Sequence, residues 1–167
     1  ETWHDMPMFT DDDLNKLAFW AATGSGKTLM MHVNIKQYLH YAQKHNAKKL
    51  NRIMILTPNE GLSKQHIEEL QKSNFDALLF SKQSRGDLFE GHTIDVIDIN
   101  KLADKDGDKT VAVDSFEGNN LVLVDEGHKG SGGDVWKGYR NKLTQEGFSF
   151  EYSATFGQAI AAQTGAN

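Results

Sequence analysis

The sequence predicts an α/β fold, a mostly parallel sheet with helices on both faces, and two observations carry that prediction. Short apolar segments of strand length alternate along the 167 residues with segments whose apolar positions recur at helical spacing, and such alternation builds parallel sheets joined by crossover helices. A glycine-rich segment, Gly24-Ser25-Gly26-Lys27-Thr28, stands between the first such strand and the first such helix, the setting that a phosphate-binding loop requires.

The elements follow in order. The polar opening to Asn15, with Asp11, Asp12 and Asp13 in a row, reads as a solvated entry segment. Leu17-Ala18-Phe19-Trp20 runs directly into the glycines and reads as a buried parallel strand. Met31, Ile35, Leu39 and Ala42 recur at helical spacing, predicting a helix from Thr28 to about His45. Residues 52–57 read as a buried strand, Pro58-Asn59-Glu60-Gly61 as a turn, and 62–71 as a helix. A weaker strand is expected at 77–80, and β-branched content predicts another at 93–97 with a helical turn over 100–103. The acidic stretch 104–120 reads as a loop with a short strand at 110–113. Leu121-Val122-Leu123-Val124 is the clearest core strand, 134–145 a helix stopped by Gly147, and 148–153 the next strand. There is no internal repeat.

Composition bounds the class. A hydrophobic fraction of 38%, a charged fraction of 25% and two prolines describe a soluble globular chain of one domain. Its apolar runs fall far short of the roughly 18 residues of a membrane span, so no membrane partner is expected. The absence of cysteine excludes disulfides and thiolate metal sites. With no basic, apolar leader at its start, a cytoplasmic location is expected. Of seven histidines, His32, His40 and His45 share one predicted helix without carboxylates at ligand spacing, and read as solvated rather than as a metal cluster. A net charge of -5 gives no bulk attraction for nucleic acid, so local patches must carry any such binding.

Two segments carry chemistry. The glycines at 24 and 26 let the backbone curl so that N–H groups, Ser25 among them, point at phosphate oxygens, and the following helix adds its positive end. Lys27 then reaches the β and γ phosphates and the Thr28 hydroxyl ligates magnesium. The strict pattern has glycine where this chain has Ala21. Asp125-Glu126 follows four apolar residues, so both carboxylates emerge at the C-terminal edge of a buried strand, where parallel sheets place ligands. Asp125 would hold magnesium through a water, and Glu126 would orient or deprotonate the attacking water. One carboxylate and one hydroxyl suit an ion that keeps most of its waters.

Asp125-Glu126-Gly127-His128 resembles motif II of the superfamily 2 helicases, in the class with histidine fourth. Ser153-Ala154-Thr155 resembles their motif III, and Leu56-Thr57-Pro58 followed by Gly61-Leu62 their motif Ia. With the phosphate loop as Walker A, where these helicases commonly use alanine at position 21, four motifs stand in family order across nearly the whole chain. The wording Phe150-Glu151-Tyr152-Ser153-Ala154-Thr155-Phe156 and the insert over 134–145 are most similar to the restriction subunit of type III restriction enzymes and related phage-defence helicases.

The resemblance implies the first of two RecA-like domains, residues 1–167 being a fragment of a longer protein, with ATP in the cleft between them. The second domain would bring arginine fingers worth about three to five powers of ten in rate, so the isolated domain is expected to bind ATP and magnesium but hydrolyse poorly. His128 and Ser153-Ala154-Thr155 would couple the γ-phosphate state to nucleic-acid grip, while Thr57 and Pro58 would face a nucleic-acid backbone. Double-stranded DNA is the implied partner, with a modification or nuclease subunit beside it. An RNA helicase and a nucleotide-dependent binding module without turnover stand as alternatives. The glutamine-bearing adenine motif of many relatives is missing, since the first glutamine, Gln37, already lies inside the first helix.

Overall fold

The computed structural model describes residues 8–10, 14–81, 93–126 and 133–154, with the backbone alone for 133–137. Six strands form one sheet: β1 (Lys16–Trp20), β2 (Arg52–Thr57), β3 (Ala77–Leu79), β4 (Ile94–Asp98), β7 (Asn120–Asp125) and β8 (Phe148–Ser153). Their order is β1-β8-β7-β2-β4-β3, and every pairing is parallel. A small two-stranded parallel pair, β5 (Leu102–Ala103) with β6 (Val111–Ala112), lies outside that sheet. Among the described residues there are also three α-helices, α1 (Lys27–Lys44), α2 (Glu60–Lys72) and α3 (Gly133–Leu143), and 3-10 turns at Ile99–Lys101 and Val113–Phe116.

Side-chain alternation along the central strands builds two cores. Ile53 and Ile55 of β2 join Leu121 and Leu123 of β7 beneath Met31 and Ile35 of α1 and Leu70 of α2. Met54, Leu56, Val122 and Val124 point to the other face, under Phe116 and Leu143. Helices therefore cover both faces, as the fold class requires. Each fully buried aliphatic of this kind contributes roughly 1.5–3 kcal/mol relative to exposure, which fixes β2 and β7 at the centre.

Both long helices end in the same way. Asn46 and Asn74 take left-handed backbones, φ 50° and 59°. The amide of Ala47 then reaches the Ala42 carbonyl at 2.8 Å, and that of Phe75 reaches Leu70 at 3.0 Å. These bonds satisfy carbonyls that a helix end leaves open, and asparagine is the residue besides glycine that tolerates the conformation.

Two expectations are corrected. The 17–20 segment is a strand, but an edge strand: β8 is its partner among the described residues, and Leu17 and Trp20 are 48% and 67% exposed. Phe19 alone of that run turns inward, stacking on Tyr152 at 5.2 Å. His32 is buried rather than solvated, its Nδ1 2.9 Å from the Ser73 hydroxyl, because it falls beside Met31 on the face that α1 presents to the core. His40 and His45 are exposed. Among the described residues, no helix is long and apolar enough to cross a membrane and no group of three or more metal-ligating side chains is gathered.

Candidate active site

The strand register brings the separate motifs to one edge. Trp20 lies opposite Ser153, Tyr152 opposite Asp125, Val124 opposite Leu56, and Thr57 opposite Asp98. The C-terminal ends of β1, β8, β7 and β2 thus form a single row at the carboxyl edge of the sheet, where the crossover connections open a crevice.

The loop from β1 to α1 needs its glycines. Gly24 and Gly26 hold φ of 77° and 90°, and a Cβ at either would meet nothing within 4 Å. Backbone conformation, not crowding, therefore demands glycine there, and the space beside the loop stays open for a phosphate chain. Gly26 caps α1 without a side-chain hydrogen bond. Ser25 donates its amide to the Ala22 carbonyl at 3.1 Å, closing the turn. Lys27 arches back over the loop to the carbonyls of Ala21 and Ala22, at 3.4 and 3.5 Å.

From the other side, β7 delivers Asp125 and Glu126. Lys27 Nζ is 3.7 Å from Glu126 Oε1, with the two side chains only 11% and 16% exposed. Glu126 has φ 55°, a left-handed conformation that costs a non-glycine residue roughly 1–2 kcal/mol. Such strain concentrates at sites where a side chain must be aimed against the preference of its backbone. Thr28 lies in the first turn of α1 and is half-buried. The donor set of one hydroxyl and one carboxylate is all oxygen, which fits magnesium.

Asp125 has a partner that sequence reasoning missed. His66 of α2 approaches with Nε2 2.9 Å from Asp125 Oδ2, the side chains being 5% and 13% exposed. Ser63, His66 and Leu70 share the buried face of α2, and the helical spacing of His66 from Leu70 was the available signal. At the start of α2, Asn59 caps the helix by accepting the Leu62 amide at 3.0 Å. The Thr57 hydroxyl is turned inward, 1% exposed, 2.6 Å from the Ser63 hydroxyl and 3.4 Å from the Ile97 carbonyl. Pro58 is partly exposed, and its carbonyl accepts from Asn100 at 3.1 Å.

Ser153 is fully buried, and its carbonyl accepts the Ala21 amide at 3.0 Å; Ala154 accepts the Trp20 indole N–H, also at 3.0 Å. Beneath them, Asn34 of α1 donates to the Tyr152 hydroxyl at 2.7 Å. Burial pushes the Tyr152 phenol far above its usual range despite that bond. His128 and Thr155 lie outside the described residues.

The model of the family described as "Type III restriction enzyme, res subunit" matches residues 5–158. The chain belongs to this family. A res-subunit match over nearly the whole length makes the chain a helicase-type ATPase domain. Among solved structures, the chain is similar to an arterivirus nonstructural protein 10, a helicase in complex with DNA, at 14% identity and a TM-score of 0.44. The similarity covers 85% of this chain and 29% of the viral one, so the chain spans less than a third of that helicase's length. No curated protein matches.

Proposed function

We propose that this res-subunit domain binds ATP and magnesium for a DNA-dependent translocase of a restriction or phage-defence system. The observation that carries the reading is the pairing of Lys27 with Glu126 at 3.7 Å across the edge of the sheet. It joins the cation of the phosphate loop to a strand-end carboxylate and makes one site of two distant segments. In this reading Gly24 and Gly26 offer main-chain N–H groups to the phosphates, Ser25 shapes the loop through the amide bond it already gives to Ala22, and Lys27 neutralises the β and γ oxygens. Thr28 and Asp125 hold magnesium, which when bound offsets charge developing on the transferred phosphoryl group. Glu126 orients the attacking water and takes its proton.

Ser153 and Ala154, with Thr155 and His128, act as the coupling segment. Two bonds support that role for the described pair, since Ser153 and Ala154 are tied to the residues that enter the phosphate loop. Nucleic acid meets the 57–62 turn through Pro58 and the exposed residues Asn59, Glu60 and Gly61. The Thr57 hydroxyl is already engaged inside and contributes by shaping the turn. A second RecA-like domain in the same full-length protein supplies the arginines, so the domain alone turns over slowly.

The test is ATP hydrolysis by the full-length protein with and without duplex DNA, and the same for Lys27→Ala. Expected is DNA-stimulated hydrolysis that the substitution abolishes; unchanged hydrolysis in the variant overturns the assignment. Stimulation by duplex RNA in place of DNA would move the substrate class and leave the site intact.

A further inference from the structure

We propose that His66 is a positioning residue for the magnesium site: it holds the Asp125 carboxylate by one oxygen and so presents the other to the ion. This rests on the ATPase reading above and names a participant that the four motifs do not contain.

The bond has a defined direction. A carboxylate accepts, so the proton lies on His66 Nε2, 2.9 Å from Asp125 Oδ2. His66 Nδ1 is buried and has no hydrogen-bond partner among the described residues. A histidine placed for packing or for fold stability would lose little by being Leu or Met, whereas this ring carries one polar atom without a partner in order to deliver the other to Asp125. Burying an unpaired polar group has a cost, and the bond to Asp125 is what the position offers in return.

The carboxylate needs such a partner. Asp125 is the last residue of β7, and Glu126 beside it already has a left-handed backbone. The strand therefore ceases to constrain the chain where the Asp125 side chain must be aimed. A ring anchored on α2 supplies the missing constraint. His66 is 4% exposed and sits between Ser63 and Leu70 on the face by which α2 packs against the sheet. Metal-binding carboxylates are commonly oriented by such outer partners, and their loss typically costs 10–100-fold in metal affinity or activity.

The same helix begins at the turn proposed to meet nucleic acid. Ser63, one turn before His66, shares a hydrogen bond with Thr57 at 2.6 Å. A rigid element thus runs from the 57–62 turn to the carboxylate, and His66 is where it touches the magnesium site.

The experiment measures binding of a fluorescent ADP analogue to the full-length protein across a magnesium titration and in EDTA, for wild type, His66→Ala, His66→Gln and His66→Asn. The Gln amide nitrogen falls near the place of Nε2, and the Asn amide near that of Nδ1. Expected is that His66→Ala and His66→Asn raise the half-saturating magnesium by about tenfold, with EDTA binding unchanged, and that His66→Gln restores the wild-type midpoint. A merely structural histidine would instead lower affinity equally with and without magnesium, and Gln would not rescue it. That pattern, or a midpoint unmoved in every variant, overturns the proposal. If His66→Ala does not fold, the comparison of Gln with Asn decides, and equal midpoints for the two overturn it. A wild-type protein that binds no nucleotide at any magnesium concentration overturns the ATPase reading itself, a distinct outcome.

Discussion

The amide of Ala21 donates to the carbonyl of Ser153 at 3.0 Å, tying the first residue of the phosphate loop to the last residue of β8. Trp20 adds its indole N–H to the Ala154 carbonyl at the same distance. Ser153 and Ala154 are therefore held to the loop entrance by two bonds from adjacent residues, one through the main chain and one through an exposed side chain.

That difference separates structure from coupling. Trp20→Phe deletes the side-chain bond and leaves the main-chain bond in place. An exposed hydrogen bond contributes about 0.5–1.5 kcal/mol, so the variant is expected to melt close to wild type. Basal hydrolysis should persist while stimulation by DNA falls, because Ala154 is released from the loop entrance. Paired ATPase assays with and without duplex DNA check this; equal stimulation in both proteins would remove Trp20 from the coupling path.

Glu126→Gln keeps the size and backbone of the residue and removes its basicity. Loss of a general base typically costs about 10²–10⁴ in rate, and single-turnover hydrolysis in the full-length protein is expected to fall within that range. Magnesium-ATP affinity should remain near wild type, since the side chains of Lys27, Thr28 and Asp125 are retained and Lys27 turns to the phosphates when nucleotide binds. An equal loss of binding and hydrolysis would assign Glu126 to holding Lys27 rather than to water.

β2 and β7 were legible because both faces of each are buried, so their apolar residues run on without interruption. β1 was legible as a strand but not as an edge, because edge or centre depends on strand order, which no local pattern of Leu17 to Trp20 contains. The turn from β1 to α1 was legible because the positive φ at Gly24 and Gly26 is a local demand that only glycine meets easily. The His66–Asp125 bond joins residues far apart in the chain, and only the packing of α2 on the sheet brings them together. The inward turn of the Thr57 hydroxyl was equally hidden, since a strand-end threonine carries no mark of where its side chain points. Asn46 and Asn74, by contrast, are helix stops that a residue-by-residue reading can find.

Gly147 shows how a local reading can reach a position for a secondary reason. Its glycine reads as a helix stop, yet a Cβ there would lie 2.0 Å from the Asn120 carbonyl oxygen and 2.5 Å from its amide nitrogen. Both atoms are backbone of β7, which cannot give way without disturbing the strand that delivers Asp125. Gly147→Ala is expected to destabilise by about 3 kcal/mol, at the upper end of what core overpacking and forced backbone shifts cost. Urea unfolding measures it; a cost under about 1 kcal/mol, ordinary for a tolerant surface site, would show that the approach relaxes.

His32 should make stability depend on pH. Burial lowers its pKa from 6.5, and the neighbouring His66 and Lys36 lower it further, against an opposing pull from Glu69. The unfolded chain therefore takes up the proton at higher pH than the folded one. Between the two pKa values the unfolded state holds more protons, so stability rises with pH in that window. The contribution of neutral His32 is complete above about 6.5 and is lost as pH falls through it toward the lower folded value. His32→Asn places an untitratable amide where Nδ1 meets the Ser73 hydroxyl at 2.9 Å. Urea midpoints from pH 8 to pH 5 should then fall less steeply in the variant than in wild type. Parallel curves would mean that the imidazole accepts its proton in place, with the buried Nε2 finding an acceptor on charging.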